Sequence, residues 1–305
     1  MLGENHGLTA LLDRRPPSAW QQFIERPCLF LATKLYKWRP AAPFHPYGTR
    51  PVTVVCISDT HNTQPHVPHG DILIHAGDLT QTGTYEELQT TLDWLNTLSH
   101  PHKIVIAGNH DILLDPNDPC ADPVAKSSLE WGNIVYLNSE SADILCPNGR
   151  TLKVYGSPLT PRCGNCAFQY LRGRDVWTGQ FPADTDILVT HGPPKGHLDA
   201  GHIGCQHLLS QVWRMKPRLH VFGHAHGGYG TETAQFDGLQ KAYENAVISG
   251  GGLWNLGLAF LHFISAQFRS NFLGESPTAE ALFVNAAALD GLRDDQQRRP
   301  IVVRM

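Results

Sequence analysis

Five short apolar runs in this chain each end on, or lead directly into, residues that can bind a metal. The runs are VTVVCIS (52–58), DILIHAG (71–77), KIVIAG (103–108), DILVTHG (186–192) and RLHVFG (218–223). Each is about strand length and rich in β-branched residues or Leu, the pattern of strands buried on both faces. Asp59 and His61 follow the first run, Asp78 the second, and Asn109, His110 and Asp111 the third. His191 closes the fourth, and His224 and His226 follow the fifth. In open α/β sheets ligands bind at the carboxyl ends of the strands, so one edge of a sheet collects all of these side chains.

Between the second and third runs, Tyr85, Leu88, Leu92, Leu95 and Leu98 recur at intervals of three and four, which puts them on one helix face. Thr82 and Thr84 are candidate caps ahead of Glu86 and Glu87. Ile203, Leu208, Val212 and Met215 suggest a second helix over about 203–215. Weaker runs at 133–138, 151–157, 283–288 and 300–305 add strands. Alternating strands and helices imply an α/β layered core. Residues 1–50, with Pro16, Pro17, Pro27, Pro40, Pro43 and Pro46, read as an N-terminal extension ahead of a domain over 51–305.

Composition narrows the function. A formal charge of −4 does not suit a nucleic-acid polymer as partner, because backbone affinity needs clustered Lys and Arg. Seven scattered Cys suit a reducing compartment rather than a disulfide framework. Cys163 and Cys166 form a C-x-x-C that no second pair at zinc spacing accompanies. The first residues lack the order of a signal peptide, and no run reaches the roughly 18 apolar residues of a membrane span. A cytoplasmic protein is expected. The stretches 28–36 and 253–268 read as amphipathic packing segments, with peripheral membrane contact as the alternative.

The strand-end set of Asp59, His61, Asp78, Asn109, His191, His224 and His226 has imidazole, carboxylate and amide but no thiolate, which suits Zn, Fe, Mn or Ni. It exceeds one ion's coordination number once water is added, and two ions sharing a carboxylate account for it. A lone His after a strand is usually structural, and Asp there is often a helix cap, but five strand ends carrying such groups together are not explained that way. His66, His69, His75, His100, His102 and His207 lack this regularity and read as structural.

The pieces Asp59-Thr60-His61, Gly77-Asp78, Gly108-Asn109-His110-Asp111, His191-Gly192 and Gly223-His224-Ala225-His226 resemble, in order, the motifs of the calcineurin-like metallophosphoesterase superfamily. SPLTPRCGNCAFQY (157–170) and FVNAA (283–287) are similar to segments of its animal and fungal metallophosphoesterase-domain branch, some of whose members act on cyclic nucleotides. The resemblance covers about 51–230 and implies a four-layer α-β-β-α sandwich. It implies two divalent transition-metal ions, Mn, Fe or Zn, with Asp59, His61, Asp78 and His226 on one and Asp78, Asn109, His191 and His224 on the other. Two such ions would generate a bridging hydroxide that hydrolyses a small phosphomonoester or phosphodiester. His110 follows Asn109 directly, so it is expected to point into the same edge and assist as hydrogen-bond donor or acid, with Asp111 orienting it. The alternative is a metal-binding scaffold with the same fold and no turnover. By this reading residues 245–281 are an apolar insertion. Leu253, Leu256, Phe260 and Phe263 fall on one helical face of it and are expected to pack on the core, with a lid or a membrane contact as the other readings.

Overall fold

A computed structural model describes residues 17–46, 50–119, 121–164, 166–201, 203–274, 279–289 and 297–305. Residues 1–16 and 47–49 of the expected extension, Pro16 among them, lie outside the described residues. In chain order the elements begin with helices α1 (Ala19–Glu25) and α2 (Pro27–Lys37), then strands β1 (Thr53–Ile57) and β2 (Ile72–Ala76). Helix α3 (Tyr85–Thr97), β3 (His102–Ile106), α4 (Pro123–Ser127), β4 (Ile134–Tyr136), β5 (Glu140–Leu145) and β6 (Thr151–Ser157) follow. Next are the short β7 (Thr160–Pro161) and β8 (Gln169–Tyr170), then β9 (Ile187–Thr190), α5 (Gln206–Met215), β10 (Leu219–Phe222) and β11 (Gly230–Ala234). The chain closes with α6 (Gly238–Ser249), α7 (Leu253–Phe272), β12 (Ala281–Asn285) and β13 (Ile301–Arg304).

The apolar runs divide between two sheets. One has the order β13-β1-β2-β3-β4, with β1 to β4 parallel and β13 antiparallel against β1. The other has the order β11-β12-β10-β9-β6-β5, parallel inside and antiparallel at both edges. Alternate residues of a strand face opposite ways. Val54, Cys56, Ile74 and Ile106 of the first sheet therefore meet Val154, Val189, Val221 and Val284 of the second in one shared core. The outer faces bury Val55, Leu73 and Val105 under Leu88, Leu92 and Leu95 of α3, and Leu188, Phe222 and Phe283 under Leu208 and Val212 of α5. Burial on both faces explains why the runs read as continuously apolar. The result is the expected four-layer α-β-β-α sandwich.

Two local features position the site. Thr84 caps α3 by accepting from the Glu87 N–H at 3.3 Å, which fixes the turn that follows β2. Beyond β12, the chain crosses to the other sheet. Ala287 bridges Ser58 in parallel, and the Ala288 N–H donates to the Ser58 carbonyl at 2.7 Å.

By its internal contacts the chain divides into two compact units. Among the described residues, the sandwich takes those within 42–236, 279–289 and 297–305, and the second unit those within 17–41 and 237–274. The second unit holds helices α1, α2, α6 and α7. Its core is Leu29, Ala32 and Tyr36 of α2, Leu239, Ala242, Tyr243, Ala246 and Val247 of α6, and Ala259 of α7. The Tyr36 and Tyr243 rings stack at 4.2 Å, and a Cβ at Gly238 would overlap the His262 ring. The stretch 253–268 is helical but does not pack on a single apolar face. Leu256 and Phe263 lie against the unit's core, whereas Leu253 is 81% and Phe260 53% exposed. Three residues advance a helix by about 300°, so the two pairs stand roughly 60° apart, and the packing boundary runs between them.

Candidate metal centre

The turns after β1, β2, β3, β9 and β10 bring the sequence-selected residues to the carboxyl edges of both sheets. The turns are tight. Asp59 (φ 52°), His61 (φ 42°), Asp78 (φ 52°) and His224 (φ 61°) all lie in the left-handed region, which costs a non-glycine residue on the order of 1–3 kcal/mol and clusters at functional sites. Cross-links hold these conformations. The Asp59 N–H donates to the Gly77 carbonyl at 2.9 Å and the His61 N–H to the Asp78 carbonyl at 3.2 Å. The His224 N–H donates to the Asp59 carboxylate at 3.0 Å, and the His110 N–H to Asp78 Oδ1 at 2.8 Å.

That last bond leaves Asp78 Oδ2 as the inward oxygen. It stands 3.2 Å from His191 Nε2 and 3.8 Å from His61 Nε2. Ligand atoms of Asp78, His191 and His224 form one group, those of Asp59, His61 and His226 a second, and those of His61, Asp78 and His110 a third, each within 4.8 Å. Asn109 joins the first, with Oδ1 3.0 Å from His191 Nε2. His226 Nε2 is 3.2 Å from Asp59 Oδ1.

These groups have the chemistry of a cation site. His191 Nδ1 is 2.9 Å from the Ala76 carbonyl, an acceptor, so its proton sits there. Nε2 then faces two oxygens, from Asp78 and Asn109, and such a meeting of acceptors calls for positive charge, either the proton of an imidazolium or a metal ion in its place. Both ring nitrogens of the buried His61 have no hydrogen-bond partner, although buried polar atoms are nearly always paired. The residues present fit divalent metal ions.

The electrostatics agree. Burial works to raise the Asp59 carboxyl, but the His226 hydrogen bond and the His191 and His226 charges outweigh it and hold it at about 2. Burial likewise opposes ionisation of Asp78, yet the charge and hydrogen bond of His191 keep it well below the usual carboxylate range. Burial depresses His61 and takes His224 down to about 4, while Asp78 overcomes burial at His191 and raises it to about 9. The edge thus presents two carboxylates, ionised at neutral pH, to a ring of imidazoles.

His110 reaches the centre but differs in its support from the expected pairing. Its ring is half-buried, packs edge-on to His61 at 4.7 Å and has Nδ1 2.8 Å from the Gln81 carbonyl. Asp111 does not orient it. The Asp111 carboxylate accepts from the N–H groups of Leu79 (3.2 Å), Thr80 (3.0 Å) and Gly108 (2.8 Å) and from the Thr80 hydroxyl (2.7 Å). It ties the turn after β3 to the turn after β2. The chain turns away after Asn109, so adjacency in sequence did not make the two side chains partners. Burial and the Asp78 charge push Asp111 up to about 6.

Further residues support the edge unannounced by any motif. His75, read as structural, has Nε2 2.9 Å from the Thr60 hydroxyl, between two candidate ligands. Asn285 donates to the Ala225 carbonyl at 2.9 Å and to the Leu198 carbonyl at 3.0 Å, fixing the turn that carries His224 and His226. The glycines before Asn109 and His224 allow close approach. A Cβ at Gly108 would overlap the Asp78 carboxylate, and one at Gly223 that of Asp59. Gly directly preceding a strand-end ligand was the signal for this.

Imidazoles and carboxylates gathered at the carboxyl edge of such a sandwich define a metallophosphoesterase-type fold. The chain belongs to the calcineurin-like phosphoesterase family, whose model matches residues 52–228. It is 44% identical over 299 residues to a probable rhamnogalacturonate lyase C of Emericella nidulans, a match taking in 97% of this chain and 28% of that protein. It is 39% identical over 213 residues to metallophosphoesterase domain-containing protein 1 of Homo sapiens, covering 62% of this chain and 64% of that one. A UPF0046 protein of Caenorhabditis elegans is 33% identical over 257 residues, covering 76% of this chain and 87% of its own. The chain thus spans less than two thirds of the length of the first two relatives.

Proposed function

We propose that this chain hydrolyses small phosphoric esters, monoester or diester, at a two-metal centre. One metal would be held by Asp59, His61, Asp78 and His226, and the other by Asp78, Asn109, His191 and His224. The observation that carries the reading is Asp78 Oδ2 facing His61 Nε2 at 3.8 Å and His191 Nε2 at 3.2 Å, one oxygen between two ligand groups. Divalent ions bound there supply Lewis acidity and a nucleophilic water at neutral pH.

The chain's own groups do the rest. Asp78 Oδ1 is fixed by the His110 N–H, which keeps Oδ2 aimed inward. The Gln81 carbonyl holds the proton of His110 on Nδ1, so Nε2 is the nitrogen turned to substrate. Protonated, it donates to a phosphoryl oxygen or to the leaving oxygen. Both roles need His110 for turnover and not for holding metal.

Purified protein supplied with Mn²⁺ and a chromogenic phosphodiester tests this. Wild type is expected to turn over and to carry close to two ions per chain by elemental analysis, and Asp78→Ala to lose both. His110→Ala is expected to keep the metal and lose on the order of 10²–10⁴ in turnover. Metal binding without turnover on phosphomonoesters, diesters or cyclic nucleotides would make the chain a scaffold instead. Loss of metal in His110→Ala would make His110 a ligand, as its place beside His61 and Asp78 allows.

A further inference from the structure

Helix α7 is apolar on the side away from its packing as well as toward it. Leu253, Trp254, Phe260, Leu261, Ile264 and Phe268 are all half or more exposed. At about 100° per residue they share roughly a third of the circumference. Asn255, His262 and Arg269 share a separate sector, so the exposed apolar arc is not the helix's polar side. Beside this face, α2 and α7 line a cavity of about 720 Å³ whose walls include Phe30, Leu31, Lys34 and Trp38.

The two helices that form the face carry charge of one sign, while the neighbouring α1 ends on Glu25. Helices α2 and α7 carry Lys34, Lys37 and Arg269 and no Asp or Glu, in a chain whose formal charge is −4. Lys34 Nζ lies 5.4 Å over the Phe30 ring, an aliphatic stem on apolar surface with a cationic head beyond it. Trp20, Trp38 and Trp254 of the same unit are 68%, 65% and 78% exposed. Trp is enriched where an apolar layer meets water. No described helix is long and apolar enough to cross a membrane, which leaves a helix lying in the interface, held by apolar burial and by basic side chains.

We propose that the helical unit docks on a lipid surface rich in anionic headgroups, with α7 and the neighbouring end of α2 in the interface. The inference stands apart from the chemistry of the metal centre. A protein partner needs polar groups across the contact to fix register, and the exposed apolar arc of α7 has few to offer. Its basic rim instead matches a surface of uniform negative charge.

Co-sedimentation of the full chain with phosphatidylcholine vesicles, with and without phosphatidylserine, is the test. Wild type is expected to pellet with the phosphatidylserine vesicles and to be released by salt. Lys37→Ala is expected to weaken partitioning about fivefold, and Leu261→Ser with Ile264→Ser to abolish it. Both residues of the double variant are exposed, at 65% and 50%, so it should melt as wild type does. No binding to either vesicle, or binding undiminished in the double variant, overturns the proposal. So does a dimer in solution that the double variant dissociates, since a second copy then covers the face.

Discussion

At the scale of single residues, the centre depends on how closely backbone can approach carboxylate. Gly223 and Gly108 stand against different carboxylates, Asp59 and Asp78. Gly223→Ala is therefore expected to lower metal content by one ion per chain, and Gly108→Ala to remove both. Elemental analysis reads the difference, and equal loss in the two variants would contradict the shared position of Asp78. Asp111 makes a separate point. Its oxygens accept three backbone N–H groups, so Asp111→Asn turns an amide N–H₂ toward donors and should cost about 1–3 kcal/mol of stability. Unchanged melting with a shifted pH profile of turnover would return Asp111 to the His110 ring. The candidate ligands could be picked out in the sequence because each lies at or just beyond the end of a strand run. The partner of Asp111 was not, because it is set by two turns meeting 32 residues apart.

At the scale of elements, each sheet carries a buried histidine bonded to a threonine: His75 to Thr60 in one, His220 to Thr190 in the other. The second is bonded to the residue that precedes His191. Thr190 donates to the Gly192 carbonyl at 2.8 Å, so His220 Nε2 carries the proton shared at 2.8 Å, and Nδ1 is buried without a partner. Burial takes His220 down from 6.5 to about 3. The unfolded chain then binds the proton first, and stability is lost as pH falls from about 6.5 toward 3, with a slope approaching 1.4 kcal/mol per pH unit. His220→Phe is expected to flatten that acid limb of melting temperature against pH, and an unaltered limb would locate the titration elsewhere. Strands buried on both faces and the one-faced α3 could be read from periodicity. The edge strands β5 and β11 could not, since the burial of ESADIL and GTETA is too broken to mark a strand. Helix α7 was legible as a helix, but not in which side it buries, because its apolar residues spread well beyond one face.

At the scale of the whole molecule, the seven candidate ligands all lie between Asp59 and His226, yet the elements that close their edge come later. Asn285 holds the turn of His224 and His226, Ala287 and Ala288 join the second sheet to Ser58, and β13 flanks β1. The chain crosses from one sheet to the other just where Asp59 begins. The consequence lies in the order of synthesis. Synthesis as far as His226 delivers every candidate ligand and the strands β1, β2, β3, β9 and β10 that carry them, but not β12, β13 or the Asn285 side chain that holds the turn of His224 and His226. A chain ending at Gln235 is therefore expected to take up no stoichiometric Mn²⁺, and to regain it when residues 279–305 are supplied as a separate peptide. Full uptake by the short chain would mean the turns hold their strained shapes unaided. Otherwise a growing chain would take up its ions only after β12 and β13 have emerged.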